Sequence, residues 1–337
     1  MLRPVSNPPN PWTTSMVEYL EDIPSATLEV YEDASKSILS KNDEATVGFI
    51  YGLNPYRGCF HACAYCEARR RHELLGFGAG TDFDTKIVVK PNAPELLRAA
   101  FEARSWRGDV VVFSGATDAY QPLEAAWELT RRCLAVCVAY RNPVAIVTKG
   151  ALIERDLDLL AALRDVARAT VSVSIPFADT DVARALEPFA PTPARRMRTI
   201  ERLARAGIDV GISIAPMILG LGEERLADLL ADAKRAGATR AVLSFLRLPR
   251  PVDAVFAERL ERILPGRAKS VLARVGDDGP HARTVEQLFL ATCRRLGLAC
   301  APAGDDRANT PPAGPLATRT FRRPSAQSSL FSTTART

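Results

Sequence analysis

Three cysteines, Cys59, Cys63 and Cys66, stand in the stretch NPYRGCFHACAYCEAR at residues 54–69, a C-x3-C-x2-C spacing. A loop with these spacings can fold three thiolates onto one inorganic centre. Three thiolates on a cubane [4Fe–4S] cluster leave the fourth iron without a protein ligand. An open coordination position is what lets a metal centre do chemistry, as in catalytic zinc sites. Gly58 and the Asn54-Pro55 pair shape the loop, and Tyr65, directly before the third cysteine, can pack beside a ligand on the centre. A second chemistry is open to the same residues: with His61 as fourth ligand, C-x-H-x-C-x2-C can hold a tetrahedral zinc ion.

The rest of the composition is that of an ordinary globular chain. Of 337 residues, 47% are hydrophobic and 25% charged, and the net charge is +5. That mild excess suits a polyanionic or nucleotide-bearing ligand without requiring one. Seven cysteines in so long a chain do not make a disulfide scaffold. In a reducing compartment their clustering points to metal or catalysis. The N-terminal MLRPVSNPPNPW has no apolar signal region, and no apolar run approaches the roughly 20 residues that span a bilayer. The expected compartment is the cytoplasm, with no membrane partner.

The elements that position the loop follow from periodicity. Short continuous apolar runs at Thr46–Tyr51, Asp109–Ser114, Val144–Thr148, Thr170–Pro176, Val210–Pro216 and Ala241–Leu246 read as strands buried on both faces. Helical stretches separate them at 94–106, 122–140, 154–165, 193–207 and 223–237, and two more follow at 251–264 and 284–297. This is an α/β chain whose parallel strands form either an open Rossmann-like sheet or a curled partial barrel. Its chemistry belongs at the C-terminal strand ends, where the cysteine loop follows the first strand. Residues 1–45 read as an extended, partly disordered arm with one short strand near Thr27–Tyr31. The barrel spans 46–250, a helical extension 251–300, and a disordered tail 301–337, in which Phe331 could tuck back.

C-x3-C-x2-C with an aromatic before the third cysteine resembles the cluster motif of the radical S-adenosylmethionine (SAM) superfamily, whose fold is a partial (β/α)6 barrel. LNPYRGCFHACAYC and TDAYQPLE look like its spore-photoproduct-lyase-like branch. SKSILSKNDEATVGF, GTDFDTKIVVKPN and PFAPTPARRMRTIERLARAG look closer still to an uncharacterised subgroup of that branch. The resemblance implies a [4Fe–4S] cluster on Cys59, Cys63 and Cys66, with SAM chelating the open iron. It implies reductive cleavage of SAM to a 5′-deoxyadenosyl radical, and a flavodoxin or ferredoxin as electron donor. Tyr65 matches the aromatic along the adenine. Thr117 and Asp118 occupy the place of the segment that binds the SAM amino group. Lys149 and Ser174 are candidates for the SAM carboxylate and ribose, and Ile214, Pro216 and Met217 for the adenine wall. The bland alternatives are a helix cap for Asp118, a solvated charge for Lys149 and core packing for Ile214 and Met217.

Two departures narrow the reading. Glu67 follows the third cysteine where relatives carry an aromatic, which adds negative charge beside an anionic cluster. Spore photoproduct lyase uses a further cysteine as hydrogen donor, and the matching stretch around Val110–Phe113 has none, which argues against thymine-dimer repair. Tyr120 can serve as a radical relay or as a structural aromatic. Cys133 and Cys137, four apart on a helix, could join Cys293 and Cys300 on an auxiliary cluster or pack as core residues. His281, in a loop, has no assigned role. Arg195, Arg198, Arg202 and Arg205 share a helix face, with Arg196 beside them, and would suit nucleic acid or simply solvent. The expected function is radical SAM catalysis on an unknown substrate. The alternatives are a lyase acting on damaged nucleic acid and a non-catalytic zinc or iron–sulfur nucleic-acid-binding module.

Overall fold

Five of the six apolar runs become strands of one sheet, and the sixth begins only at its last residue, Tyr51. The computed structural model describes residues 3–5, 28–41, 51–113, 117–301 and 320–324, so residues 46–50 of that run lie outside the described residues. The arm contributes β1 (Arg3–Val5), β2 (Glu29–Glu32) and β3 (Leu39–Lys41). The body continues with β4 (Tyr51–Leu53), β5 (Tyr56–Arg57), β6 (Lys86–Val89), β7 (Val111–Phe113), β8 (Val144–Thr148), β9 (Ala169–Ser174), β10 (Asp209–Met217) and β11 (Arg240–Phe245). The main sheet runs β11-β10-β9-β8-β7-β4-β3. Its strands are parallel from β4 to β11 and in chain order, with β3 added antiparallel at one edge. This is the partial (β/α)6 arrangement, which resolves the choice between open sheet and curled barrel.

The arm differs from its expected form. It holds three strands among the described residues, and β2 pairs with β6 in a second sheet ordered β1-β2-β6-β5. The three arm strands are three or four residues long, and β2 and β3 are partly exposed, so they carry little periodic signal.

The helices are α1 (Thr81–Thr85), α2 (Ala93–Glu102), α3 (Glu124–Trp127), α4 (Leu129–Ala139), α5 (Leu157–Val166), α6 (Thr180–Leu186), α7 (Pro193–Arg205), α8 (Leu226–Arg235), α9 (Val252–Ile263), α10 (Pro265–Leu272) and α11 (Pro280–Leu296). The single helix expected over 122–140 is broken at Glu128, which adopts φ +51°. The break lets the buried Glu124 carboxylate accept from the N–H groups of Thr130 (2.9 Å) and Arg131 (3.1 Å), capping the next helix. The expected list omits α6, whose seven residues are too few to show a period; Asp179 caps it by accepting from the N–H groups of Asp181 and Val182.

Val171 and Val173 of β9 face the helices in one core with Leu163, Ile200 and Leu203. By strand alternation Thr170, Ser172 and Ser174 face the barrel interior. Near the C-terminus, Phe321 packs against Phe101 and Tyr140 and over Gly108, where a Cβ would lie 2.4 Å from its own. Phe331 lies outside the described residues.

Candidate active site at the cysteine loop

The cysteine loop leaves the end of β4 through a turn that needs glycine. Gly58 has φ +76°, and a Cβ there would sit 3.0 Å from the carbonyls of both Phe83 and Lys86. The Gly58 carbonyl accepts from Thr117 Oγ1 (2.8 Å) and Gln121 Nε2 (3.2 Å), and Phe60 N–H donates to Gln121 Oε1 at 3.0 Å. Gly58→Ala is expected to cost at least the ~1–2 kcal/mol of a left-handed non-glycine residue. Urea denaturation of the apo protein measures that cost, and iron uptake measures how far Cys59 is displaced.

A buried charged cluster backs the other side of the loop. The Tyr65 hydroxyl donates to Glu187, which is also ion-paired with Arg196. Glu187 and Arg196 are buried, at 1% relative exposure each. Lys149, at the end of β8, places Nζ 3.0 Å from Ser174 Oγ, 3.8 Å from Glu187 and 5.6 Å from the Tyr65 ring centroid. Burial opposes the charge on Lys149, but the Glu187 carboxylate beside it helps to raise its pKa. Burial likewise opposes ionisation of Glu187, and Arg196 and Lys149 hold its pKa below the usual carboxylate value. The barrel mouth therefore presents a fixed ammonium and an aromatic face beside a cysteine.

The thiols themselves suit a cluster. Burial pushes Cys66 up to about 11, and it pushes Cys63 well above the usual thiol value against the pull of Lys149. Left alone, these thiols stay protonated; a bound metal centre is what stabilises their thiolate form. Among the described residues no three His, Cys, Asp or Glu side chains gather tightly enough to hold a single metal ion. The chemistry of the donor set, three thiols in one loop, is compatible with a thiolate-bound cluster. His61 is buried beside Cys59, and its Nδ1, 3.4 Å from Asp118, makes no hydrogen bond. Burial works against its protonation, yet Cys59 and Asp118 raise its pKa to about 9.

A family model described as the Radical SAM superfamily matches residues 53–233, more than half of the chain. The chain belongs to this superfamily. Membership implies SAM and a [4Fe–4S] cluster. An uncharacterized protein of Mycobacterium tuberculosis is 38% identical over 221 residues, 65% of this chain and 65% of the relative. One of Methanocaldococcus jannaschii is 30% identical over 171 residues, 51% of this chain and 61% of the relative. The match thus spans a little under two thirds of the length of these curated relatives. A spore photoproduct lyase variant with bound AdoMet and dinucleoside spore photoproduct is similar in fold, with TM-score 0.60 at 15% identity over 80% of each chain.

Of the residues a radical SAM reading singles out, Cys63, Tyr65, Lys149 and Ser174 come together. Asp118 is close by but fully engaged. Its carboxylate accepts from Thr148 Oγ1 (2.5 Å) and from the N–H groups of Tyr120 (2.9 Å) and Lys149 (2.7 Å). Burial resists its ionisation, and His61, Thr148 and Lys149 hold its pKa far below the usual range. Thr117 is tied to Gly58, and the three residues before it lie outside the described residues. Tyr120 is turned away: it is buried, and its hydroxyl donates to Asp156 at 3.2 Å among the ion pairs of Arg131 and Arg155. Ile214 alternates with the inward Ser213 and packs in the helix-side core. Met217 lines a small cavity with Leu246 and Val271. The exit of β10 instead reaches the loop through Ile218 and Leu221, which share an apolar cluster with Cys63, Tyr65 and Phe177.

Other expectations also resolve. Arg196 faces inward, Arg195 and Arg202 share Glu154, and Arg205 pairs with Glu201, so the basic helix face is only partly neutralised within the chain. Cys133 and Cys137 sit in α4 against α2 and α5, whereas Cys293 lies on α11 against α8 and β11. The two pairs are on different parts of the sheet and cannot share a cluster. His281 is 3.4 Å from Glu223 at the surface. No helix among the described residues is long and apolar enough to cross a membrane.

Proposed function

We propose that this chain is a radical SAM enzyme that holds one [4Fe–4S] cluster on Cys59, Cys63 and Cys66 and binds SAM at the barrel mouth. Bound together, the two cofactors supply reductive cleavage to a 5′-deoxyadenosyl radical that abstracts hydrogen from a substrate. The observation that carries the reading is the partly buried Lys149 ammonium, held between Ser174 and Glu187 over the face of Tyr65 and beside the cysteine loop. A partly shielded ammonium of this kind suits a carboxylate ligand, and Ser174 beside it can bond a hydroxyl. Tyr65 offers the flat wall. Thr117 and Asp118 act by placement: Thr117 fixes the Gly58 turn, and Asp118 fixes the backbone at Lys149. Phe177, Ile218 and Leu221 keep water from the loop. Cys66 is the most exposed of the three ligands, so electrons from a flavodoxin or ferredoxin enter on its side.

The reading does not extend to thymine-dimer repair, since β7, in place of the extra cysteine, is Val111–Phe113. The test is anaerobic. Protein reconstituted with iron and sulfide, then given dithionite and SAM, should be brown and form 5′-deoxyadenosine. A colourless protein that holds one zinc ion and loses it on His61→Ala would sink the proposal.

A further inference from the structure

Two arginines grip the cysteine loop by its carbonyls, and one of them comes from beyond the residues the family model matches. Arg69 is fully buried. It donates from Nε (3.0 Å) and Nη2 (2.8 Å) to the Cys63 carbonyl, and from Nη1 to the carbonyls of Ala79 (2.9 Å) and Gly80 (2.8 Å). Arg259, on α9 in the C-terminal extension, donates from Nη1 to the Ala62 carbonyl at 3.0 Å. Asp84 bridges the pair, taking Arg69 on Oδ1 (2.6 Å) and Arg259 on Oδ2 (2.5 Å). Two consecutive carbonyls of the ligand loop, those of Ala62 and Cys63, are therefore each held by a guanidinium. Ala62 has φ +56°, a left-handed conformation that a residue with a Cβ adopts only when its surroundings impose it. The Arg259 bond to its carbonyl is one such constraint.

We infer that Arg259, acting through Asp84 with Arg69, is a positioning residue that locks the ligand loop and raises the reduction potential of the cluster. The inference rests on reading Cys59, Cys63 and Cys66 as cluster ligands. Charge gives it a direction. Two guanidiniums and one carboxylate leave one net positive charge beside the loop. Adding an electron makes a thiolate-bound cluster more negative, so a fixed positive charge nearby favours the reduced form. Removing Arg259 leaves Arg69 and Asp84 as a neutral pair, and that preference weakens. Outer-shell partners of this kind also govern how firmly a metal centre is held.

The experiment uses the full chain, reconstituted anaerobically, as wild type, Arg259→Ala, Arg259→Lys and Arg262→Ala. Arg262 is an exposed residue on the same helix and serves as the control. An EPR-monitored redox titration reads the midpoint potential, and a ferrous chelator reads the rate of iron release. Arg259→Ala should titrate at a more negative potential than wild type and release iron roughly 10-fold faster. Arg259→Lys keeps the charge but not the planar fork, so its potential should stay near wild type while iron release is still faster. Arg262→Ala should match wild type in both. A loaded Arg259→Ala with wild-type potential and wild-type iron release overturns the role. If Arg259→Ala does not fold, wild-type iron release in Arg259→Lys overturns it. A wild type that takes up no cluster sinks the reading of the cysteines and this role with it.

Discussion

Alanine in place of Cys63 is expected to abolish 5′-deoxyadenosine formation while leaving the barrel folded. The side chain is small and packs with Tyr65, Phe177 and Ile218, so its truncation should cost about 1 kcal/mol, within the common range for single substitutions. The loss of function is of another order. Two thiolates remain, and no other cysteine can substitute, because Cys133, Cys137 and Cys293 are buried in α4 and α11 away from the loop and Cys300 follows Ala299, which bridges to Arg240 at the start of β11. Iron and sulfide content after reconstitution, product formation, and the effect of SAM on the reduced EPR signal are the measurements. Product at the wild-type rate from Cys63→Ala would mean that the three-cysteine loop is not the reactive centre.

Glu187→Ala is expected to be the most damaging change outside the cysteines. Its carboxylate accepts from the Tyr65 hydroxyl, pairs with Arg196 and lies 3.8 Å from Lys149. Without it, Arg196 is left charged and buried with no ion-pair partner, which typically costs ~3–5 kcal/mol. The double variant Glu187→Leu with Arg196→Met should recover most of that stability, because an apolar pair of similar volume needs no desolvation. It should not recover SAM affinity, since Lys149 and Tyr65 still lack the group that places them. Urea denaturation of the apo proteins and equilibrium binding of SAM to the reconstituted ones separate the two effects. Full SAM affinity in the double variant would remove Glu187 from the site.

The barrel was legible because parallel strands buried on both faces read as unbroken apolar runs. Its cysteines were legible because their spacing is local, and Lys149 and Ser174 because they stand at strand ends. Glu187 was not legible. Its partner Tyr65 is 122 residues away, and no pattern within EPF announces a buried carboxylate. Arg196 did leave a signal: it shares the apolar face of α7 with Ile200 and Leu203, which is an inward position for a charged side chain. It was obscured by the run of arginines around it. Ile214 and Met217 are suggested by the family resemblance of their segment, but alternation and the irregular register after Ile214 leave Ile218 and Leu221 in the apolar cluster with the loop. Asp84 and Arg259 meet only across 175 residues of chain, a distance that no local reading spans.

That separation has a consequence for how the protein is made. The barrel strands pair in the order in which they are synthesised, so a nascent chain can add one strand and helix after another. The cysteine loop emerges before Arg259. At typical translation rates about 9–35 s pass between Asp84 and Arg259. During that interval the Ala62 carbonyl lacks its guanidinium and the loop is held only from one side. On the proposed reading of the cysteines, metal loaded on the ribosome would meet an incompletely clamped site, and cluster assembly would follow docking of the helical extension.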